Sequence, residues 1–218
     1  MKKLRMISLV LLSLVLVTSC ASLADSNSES VATVSKTQPL GIMSAMDVEL
    51  NYLLSQADIN EVISIGDNDF NVGTLEGQDV VIVKAGVGKS LSAAATAIMC
   101  NNFNVSAIVF TGIAGGVAPQ VEIADVVIST NVFFHDYGCL GNDDKIDLTT
   151  DFVTMVDIIA NPELEKQAYN AAVEVLGEYR VFEGASVGYV ASKYNVPFVI
   201  IRSLNDKADS LAHESYDN

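Results

Sequence analysis

Three acids in this 218-residue chain, Glu49, Glu183 and Asp206, each stand at the close of an apolar run, in "LGIMSAMDVE", "YRVFE" and "PFVIIRSLND". None lies in a helix-surface charge run. Carboxyl groups whose surroundings set different protonation states can serve one substrate as general acid and general base. Each acid also has an ordinary structural role. Glu49 suits the first turn of a helix, where the dipole favours negative charge, Asp206 suits a helix cap, and Glu183 a solvated loop. The stretch "TGIAGG", Thr111 to Gly116, adds weight to a shared site, because it exposes backbone amides with little side chain to obstruct a planar ligand.

The elements that must position these groups are legible as alternating apolar runs and helical patterns. Apolar runs that read as strands are "LGIMSAM", Val62 to Ile65, Phe70 to Val72, "VVIVKAG", "AIVFTG", "DVVISTNVFF", "YRVF" and "PFVIIRSLND". Helices are predicted from Asp47, over Ser90 to Asn101, over Pro162 to Leu176 and over Ala185 to Tyr194. Continuous branched runs such as Val80 to Val83 and Val199 to Ile201 suit strands buried on both faces, so a central sheet covered by helices is expected. Ligands in such folds gather at the carboxyl ends of the strands. Tyr179 to Glu183 is expected to form a central strand that leads into the Ala185 helix.

One junction has the look of a phosphate loop. "VIVKAGVGKS", Val81 to Ser90, joins a strand to a helix through Gly86 and Gly88. The P-loop pattern needs a glycine where Val83 stands, and the dinucleotide pattern needs one where Leu91 stands. Both fail, leaving a glycine turn between a buried strand and a helix.

The chain opens with "MKKLRMISLVLLSLVLVTSC", a basic start, an apolar run and small residues before Cys20, which reads as an export signal. Leu16 to Cys20 resembles the bacterial lipoprotein box, so residues 1–19 are expected to be removed and Cys20 lipidated. Residues 20–37 read as a polar tether, and one domain is expected over residues 38–218. The expected location is the cell envelope, anchored to a membrane by lipid and facing the periplasm or the outside. Loss of Lys2, Lys3 and Arg5 leaves nine basic residues against 27 acidic ones, a charge near −18. That surface disfavours nucleic acid and anionic lipid and leaves a small neutral or zwitterionic molecule as the expected partner. Cys100 and Cys139 are expected as buried free thiols. With His135 and His213 as the only histidines, no metal site or cofactor is expected.

The segments "GIMSAMDVE", "VKAGVGKSLSAAA", "FTGIAGGV", "ADVVIST", "EGASVGYVASKYNVPFVIIRSLNDKAD" and "SYD" resemble the 5′-methylthioadenosine/S-adenosylhomocysteine nucleosidases of the purine nucleoside phosphorylase superfamily. The resemblance implies a single-domain three-layer α/β/α fold with a central mixed sheet, nucleoside phosphorylase-like, and a homodimer. It also implies hydrolysis of an adenine nucleoside at its N-glycosidic bond. Glu49 would activate the attacking water and Asp206 would protonate the departing adenine. Glu183 would accept from the ribose hydroxyls, with Arg202 as its charge partner or orienter. Met46, Val87, Ile113, Ala114, Gly115, Phe182 and Tyr216 would line the nucleoside. The first loop, "MSAMDVE", offers acids and no arginine, which favours water over phosphate as nucleophile.

Two departures from the family pattern shape the expectations. "YRVFEG" passes directly into "ASVGYV", so the segment that clamps adenine is expected to be missing near Glu183 and Gly184. The sequence also stops at Asn218, where the family's last helix would begin. A non-catalytic surface lipoprotein or a nucleoside-binding remnant of that family is the alternative, and a purine nucleoside phosphorylase is a more distant one.

Overall fold

A computed structural model of the chain describes residues 38–132, 139–140, 146–147, 158–177, 181–183 and 188–208. The strands are β1 (Leu40–Ser44), β2 (Asp58–Ile65), β3 (Asn68–Leu75), β4 (Gln78–Lys84), β5 (Ala107–Gly115), β6 (Val126–Ile128), β7 (Asn131–Val132), β8 (Cys139–Leu140), β9 (Ile146–Asp147), β10 (Ile158–Ile159), β11 (Val181–Glu183) and β12 (Phe198–Asp206). The helices are α1 (Asp47–Gln56), α2 (Lys89–Ile98), α3 (Pro162–Leu176) and α4 (Tyr189–Lys193). A π turn, Met99–Phe103, continues α2.

Eight strands form one mixed sheet in the order β11-β6-β12-β5-β1-β4-β3-β2. Strands β4, β1, β5 and β12 run parallel, so their carboxyl ends share one edge. Strand β6 is antiparallel to β12, and β11 is parallel to β6. The pairs β7–β10 and β8–β9 make two short antiparallel sheets.

Alternation along the parallel strands sends buried side chains to both faces. Met43, Val81, Val83, Ile108, Phe110, Phe198 and Ile200 meet Ala95 and Met99 of the α2 segment and Ala191 of α4. On the opposite face, Ile42, Val80 and Ile82 meet Leu50 of α1, while Val199 and Ile128 meet Leu164, Ala168 and Ala172 of α3. Helices therefore cover the sheet on both sides. The expected three-layer α/β/α architecture with a mixed sheet is present.

Local chemistry explains where the long helix starts and stops. Asn161 Oδ1 accepts from the amides of Glu163 and Leu164, and Pro162 occupies the first turn, where its missing N–H costs nothing. Gly177 ends the helix at φ 85°. The predicted span Pro162 to Leu176 matches.

The expected central strand at Tyr179 to Glu183 is corrected. Val181–Glu183 lies at the end of the sheet order, because β5 and β6 already occupy both sides of β12. Of the helix predicted over Ala185 to Tyr194, the described part is Tyr189–Lys193, and residues 184–187 lie outside the described residues. The expected signal, Cys20 and tether also lie outside them, as do His135 and Tyr216. Among the described residues no helix is long and apolar enough to cross a membrane.

Candidate functional site

The ladder between β1 and β5 ends at Met43 and Phe110. Beyond it the buried Ser44 hydroxyl donates to the Thr111 carbonyl at 2.8 Å, one last link before the strands part. Strand β1 then turns into α1 through Ala45 and Met46, with Met46 extended as the residue before the helix. Glu49 stands at the third helical position and reaches back over this gap. Its Oε2 accepts from the amides of Ala45 at 2.9 Å and Met46 at 2.8 Å, and its Oε1 accepts from the amide of Ile113 in β5 at 2.8 Å. The Met46 contact is the glutamate half of a capping box, and the Ala45 amide, one residue before the cap, adds a second. The third belongs to the tertiary fold.

A buried carboxylate needs compensation, and its 3 % exposed side chain receives it from these three amides and from one cation. Arg202 Nη1 lies 4.0 Å from Glu49 Oε1, an electrostatic contact longer than a hydrogen bond. The guanidinium sits over the Phe110 ring, 4.4 Å from its centroid, and Nη1 donates to the Ile113 carbonyl at 3.4 Å. Burial lowers the Arg202 pKa from its ordinary value, and the charge of Glu49 opposes that shift. The charge partner seen for Arg202 is thus Glu49.

Gly112 makes this arrangement possible. Its φ is 153°, and a Cβ added there would lie 2.3 Å from Glu49 Oε1 and 2.6 Å from Arg202 Nη1. Three residues further along β5, Gly115 plays the same part for Asp206, whose Oδ1 would lie 2.6 Å from a Cβ at that position. Asp206 Oδ1 accepts from the Ala208 amide at 2.6 Å, and its carbonyl accepts from the Gly116 amide at 2.8 Å. The two carboxylates therefore meet β5 three residues apart, roughly 10 Å along an extended strand. "TGIAGG" serves as the floor between them.

The remaining expected site residues divide by position. Met46, Ile113, Ala114 and Gly115 lie at the carboxyl edge with Glu49 and Asp206, with Ala114 paired to Leu204. Val87, 69 % exposed, follows Ala85 and Gly86, and the Ala85 amide donates to the Ser44 carbonyl at 2.7 Å, which brings this loop beside the β1 turn. Phe182 and Glu183 lie on β11, the outermost strand, two strands from β12 in the sheet order. Phe182 shares a row through Val127 with Arg202, and Glu183 a row through Ile128 with Ile201. The backbone of Glu183 is thus set back five residues from Asp206 along the sheet, roughly 16 Å, on a strand running the opposite way. Its row continues through Ile201 to Thr111 of β5, whose carbonyl accepts from Ser44 at the end of β1, so Glu183 lies level with that end but on the outermost strand of the sheet.

Ser44 and Phe110 carry no signal in the sequence that marks them as site residues, and Gly112 is marked only as part of "TGIAGG", which contains more glycine than a strand tolerates without cause. Phe110 and Ser44 resemble ordinary core residues until their partners are known. Among the described residues no cluster of His, Cys, Asp and Glu could hold a metal ion.

The family model of the phosphorylase superfamily matches residues 39–187. The chain belongs to the phosphorylase superfamily. Solved members are similar over most of their length. A 5′-methylthioadenosine/S-adenosylhomocysteine nucleosidase from Helicobacter pylori, solved with butyl-thio-DADMe-Immucillin-A, is 26 % identical with a TM-score of 0.67, covering 83 % of this chain and 90 % of that one. A mutant futalosine hydrolase of the same organism is 25 % identical with a TM-score of 0.68 and the same coverage. The Neisseria meningitidis nucleosidase, in complex with methylthio-immucillin-A, shares the fold at 22 % identity and a TM-score of 0.70, again with 83 % and 90 % covered. The superfamily and nucleosidase resemblance read from the sequence is borne out by these relatives.

Proposed function

We propose that the chain is a nucleoside hydrolase that cleaves the N-glycosidic bond of an adenine nucleoside lacking the 5′ hydroxyl, such as 5′-methylthioadenosine, S-adenosylhomocysteine or 5′-deoxyadenosine. The observation that carries this reading is the buried Glu49 carboxylate, held by three amides beside Arg202, with Asp206 farther along the same glycine-rich strand. Nucleosidase relatives at 25–26 % identity, one of them inhibitor-bound, support it.

In this reading Glu49 takes a proton from the attacking water while its charge opposes the positive character that develops on the ribose as the bond to adenine lengthens. Asp206 delivers a proton to adenine N7, so that the base departs neutral. The fixed amides leave Glu49 little freedom to reorient, which favours a preorganised base. Arg202, stacked and partly buried, holds the carboxylate from below.

The reading extends to an envelope enzyme tethered through a lipidated Cys20 and to a second copy of the chain as partner. Both rest on the sequence, through the Leu16 to Cys20 box and the family resemblance. Adenine release from 5′-methylthioadenosine, followed by absorbance with and without phosphate, is the primary test. Release independent of phosphate is expected. Release that requires phosphate would identify a phosphorylase, and no release would identify a binding remnant. Asp206→Asn is expected to lose about 10²–10⁴-fold with adenine as leaving group and far less with a nitrophenolate that departs without protonation, whereas Glu49→Gln should depress both.

A further inference from the structure

We propose that Lys207 is a positioning residue for Asp206, acting through the loop that joins β5 to β6. The inference rests on the reading of Asp206 as the general acid and adds to it a named support. The ladder between β12 and β5 ends at Asp206, which leaves the segment Lys207–Ala208 outside the paired residues. The side chain of Lys207 fastens it. Its ammonium donates to the Val121 carbonyl and pairs with the Glu122 carboxylate at 3.0 Å.

The loop it grips is itself fixed to β12 and β5. Ala124 donates to the Leu204 carbonyl at 2.7 Å, Leu204 donates to the Asp125 carbonyl at 2.9 Å, and Gly116 donates to the Asp206 carbonyl at 2.8 Å. Asp125 Oδ2 accepts from the Glu122 amide at 2.7 Å, which closes the loop into a compact turn around the two lysine acceptors. The Asp206 carboxylate is set by its contact with Ala208, the residue after Lys207, at 2.6 Å, with Ala208 in the left-handed region at φ 53°. Releasing Lys207 frees Ala208, and with it the amide that orients Asp206. Displacement of a reacting group by about 1 Å can cost on the order of 10²-fold in rate.

An exposed ion pair contributes little to stability, and Glu122 is largely exposed. The value of Lys207 lies in fixing the direction of a carboxylate, so its loss should be read in proton delivery more than in folding. The test uses the full-length chain with Lys207→Met, Lys207→Arg and Asp206→Asn, each assayed on 5′-methylthioadenosine and on the 4-nitrophenyl glycoside of 5-methylthioribose. Lys207→Met is expected to lower kcat for the adenine substrate about 10- to 100-fold, with KM within about twofold and the nitrophenyl substrate nearly unaffected. Lys207→Arg should restore most of the loss, because a guanidinium can reach both acceptors. Turnover of the nitrophenyl substrate reports that the variant is folded. Equal losses on both substrates, a loss confined to KM, or no loss would overturn the proposal. Should Asp206→Asn fail to show the selective loss, or the unmodified chain release no adenine, the general-acid reading falls and this inference with it. A selective Asp206→Asn beside an unselective Lys207→Met would overturn the inference alone.

Discussion

The carboxylate of Glu49 rests against the bare Cα of Gly112, with Oε1 only 2.3 Å from where a Cβ would be. Carboxylate and guanidinium both occupy the space a side chain would need, so neither can yield without losing its partners. Gly112→Ala is therefore expected to displace Glu49 from the Ile113 amide and to lower hydrolysis by about 10²-fold or more. The backbone at φ 153° adds strain, and overpacking of this kind typically costs about 1–3 kcal/mol. Kinetics beside a urea denaturation series would show both effects, and a variant of ordinary activity would contradict the geometry.

Arg202→Lys tests whether shape or charge matters beneath Glu49. A lysine keeps the charge but gives up the planar stack on Phe110 and the fork that reaches Ile113. We expect activity to fall about tenfold or more with either leaving group, since the base and not the acid is disturbed. Recovery of full activity by lysine would mean that charge alone suffices.

Cys100 carries a free, half-buried thiol whose pKa burial raises. A raised folded-state value means that the folded chain holds its proton more tightly than the unfolded one. This contribution to stability is present below the unfolded pKa of about 8.5 and is lost as pH rises through the folded value. Cys100→Ala should accordingly lose less stability than the unmodified chain between pH 7.5 and pH 10, measured by urea midpoints under reducing conditions. Identical pH slopes would show that the thiol titrates alike in both states.

Cys20→Ala addresses anchoring. The exchange is expected to stall processing of the leader or to move the protein into the soluble fraction, as seen by fractionation and electrophoretic mobility. Unchanged processing and unchanged membrane partition would remove the lipoprotein reading.

How much could be read from sequence depended on how local the determinant was. Pro162–Leu176 was legible because Asn161, Pro162 and Gly177 mark its ends within the segment itself. The central strands were legible because branched residues run unbroken through Val80–Val83 and Val199–Ile201. Glu49 and Asp206 were legible as candidates because parallel strands place their ends together. The strand Tyr179 to Glu183 misled for the complementary reason: whether it lies inside the sheet or at its end depends on pairing with β6, 55 residues earlier. The partnership of Arg202 with Glu49 likewise joins residues far apart in the chain, and no spacing announces it.

The carboxylate of Glu49 spans the opening between β1 and β5, taking two amides from one strand end and one from the other where the ladder has stopped. Reactive groups in enzymes are commonly a burden on the fold, so that their removal stabilises the protein while it destroys activity. This one closes a seam. Glu49→Gln would turn a hydrogen-bond donor toward backbone donors on one side of the gap, and stability should fall together with rate, by about 1–3 kcal/mol for the amide left without an acceptor. Variation at this position is then constrained twice over, and a lineage that had abandoned the chemistry would still have reason to keep the glutamate.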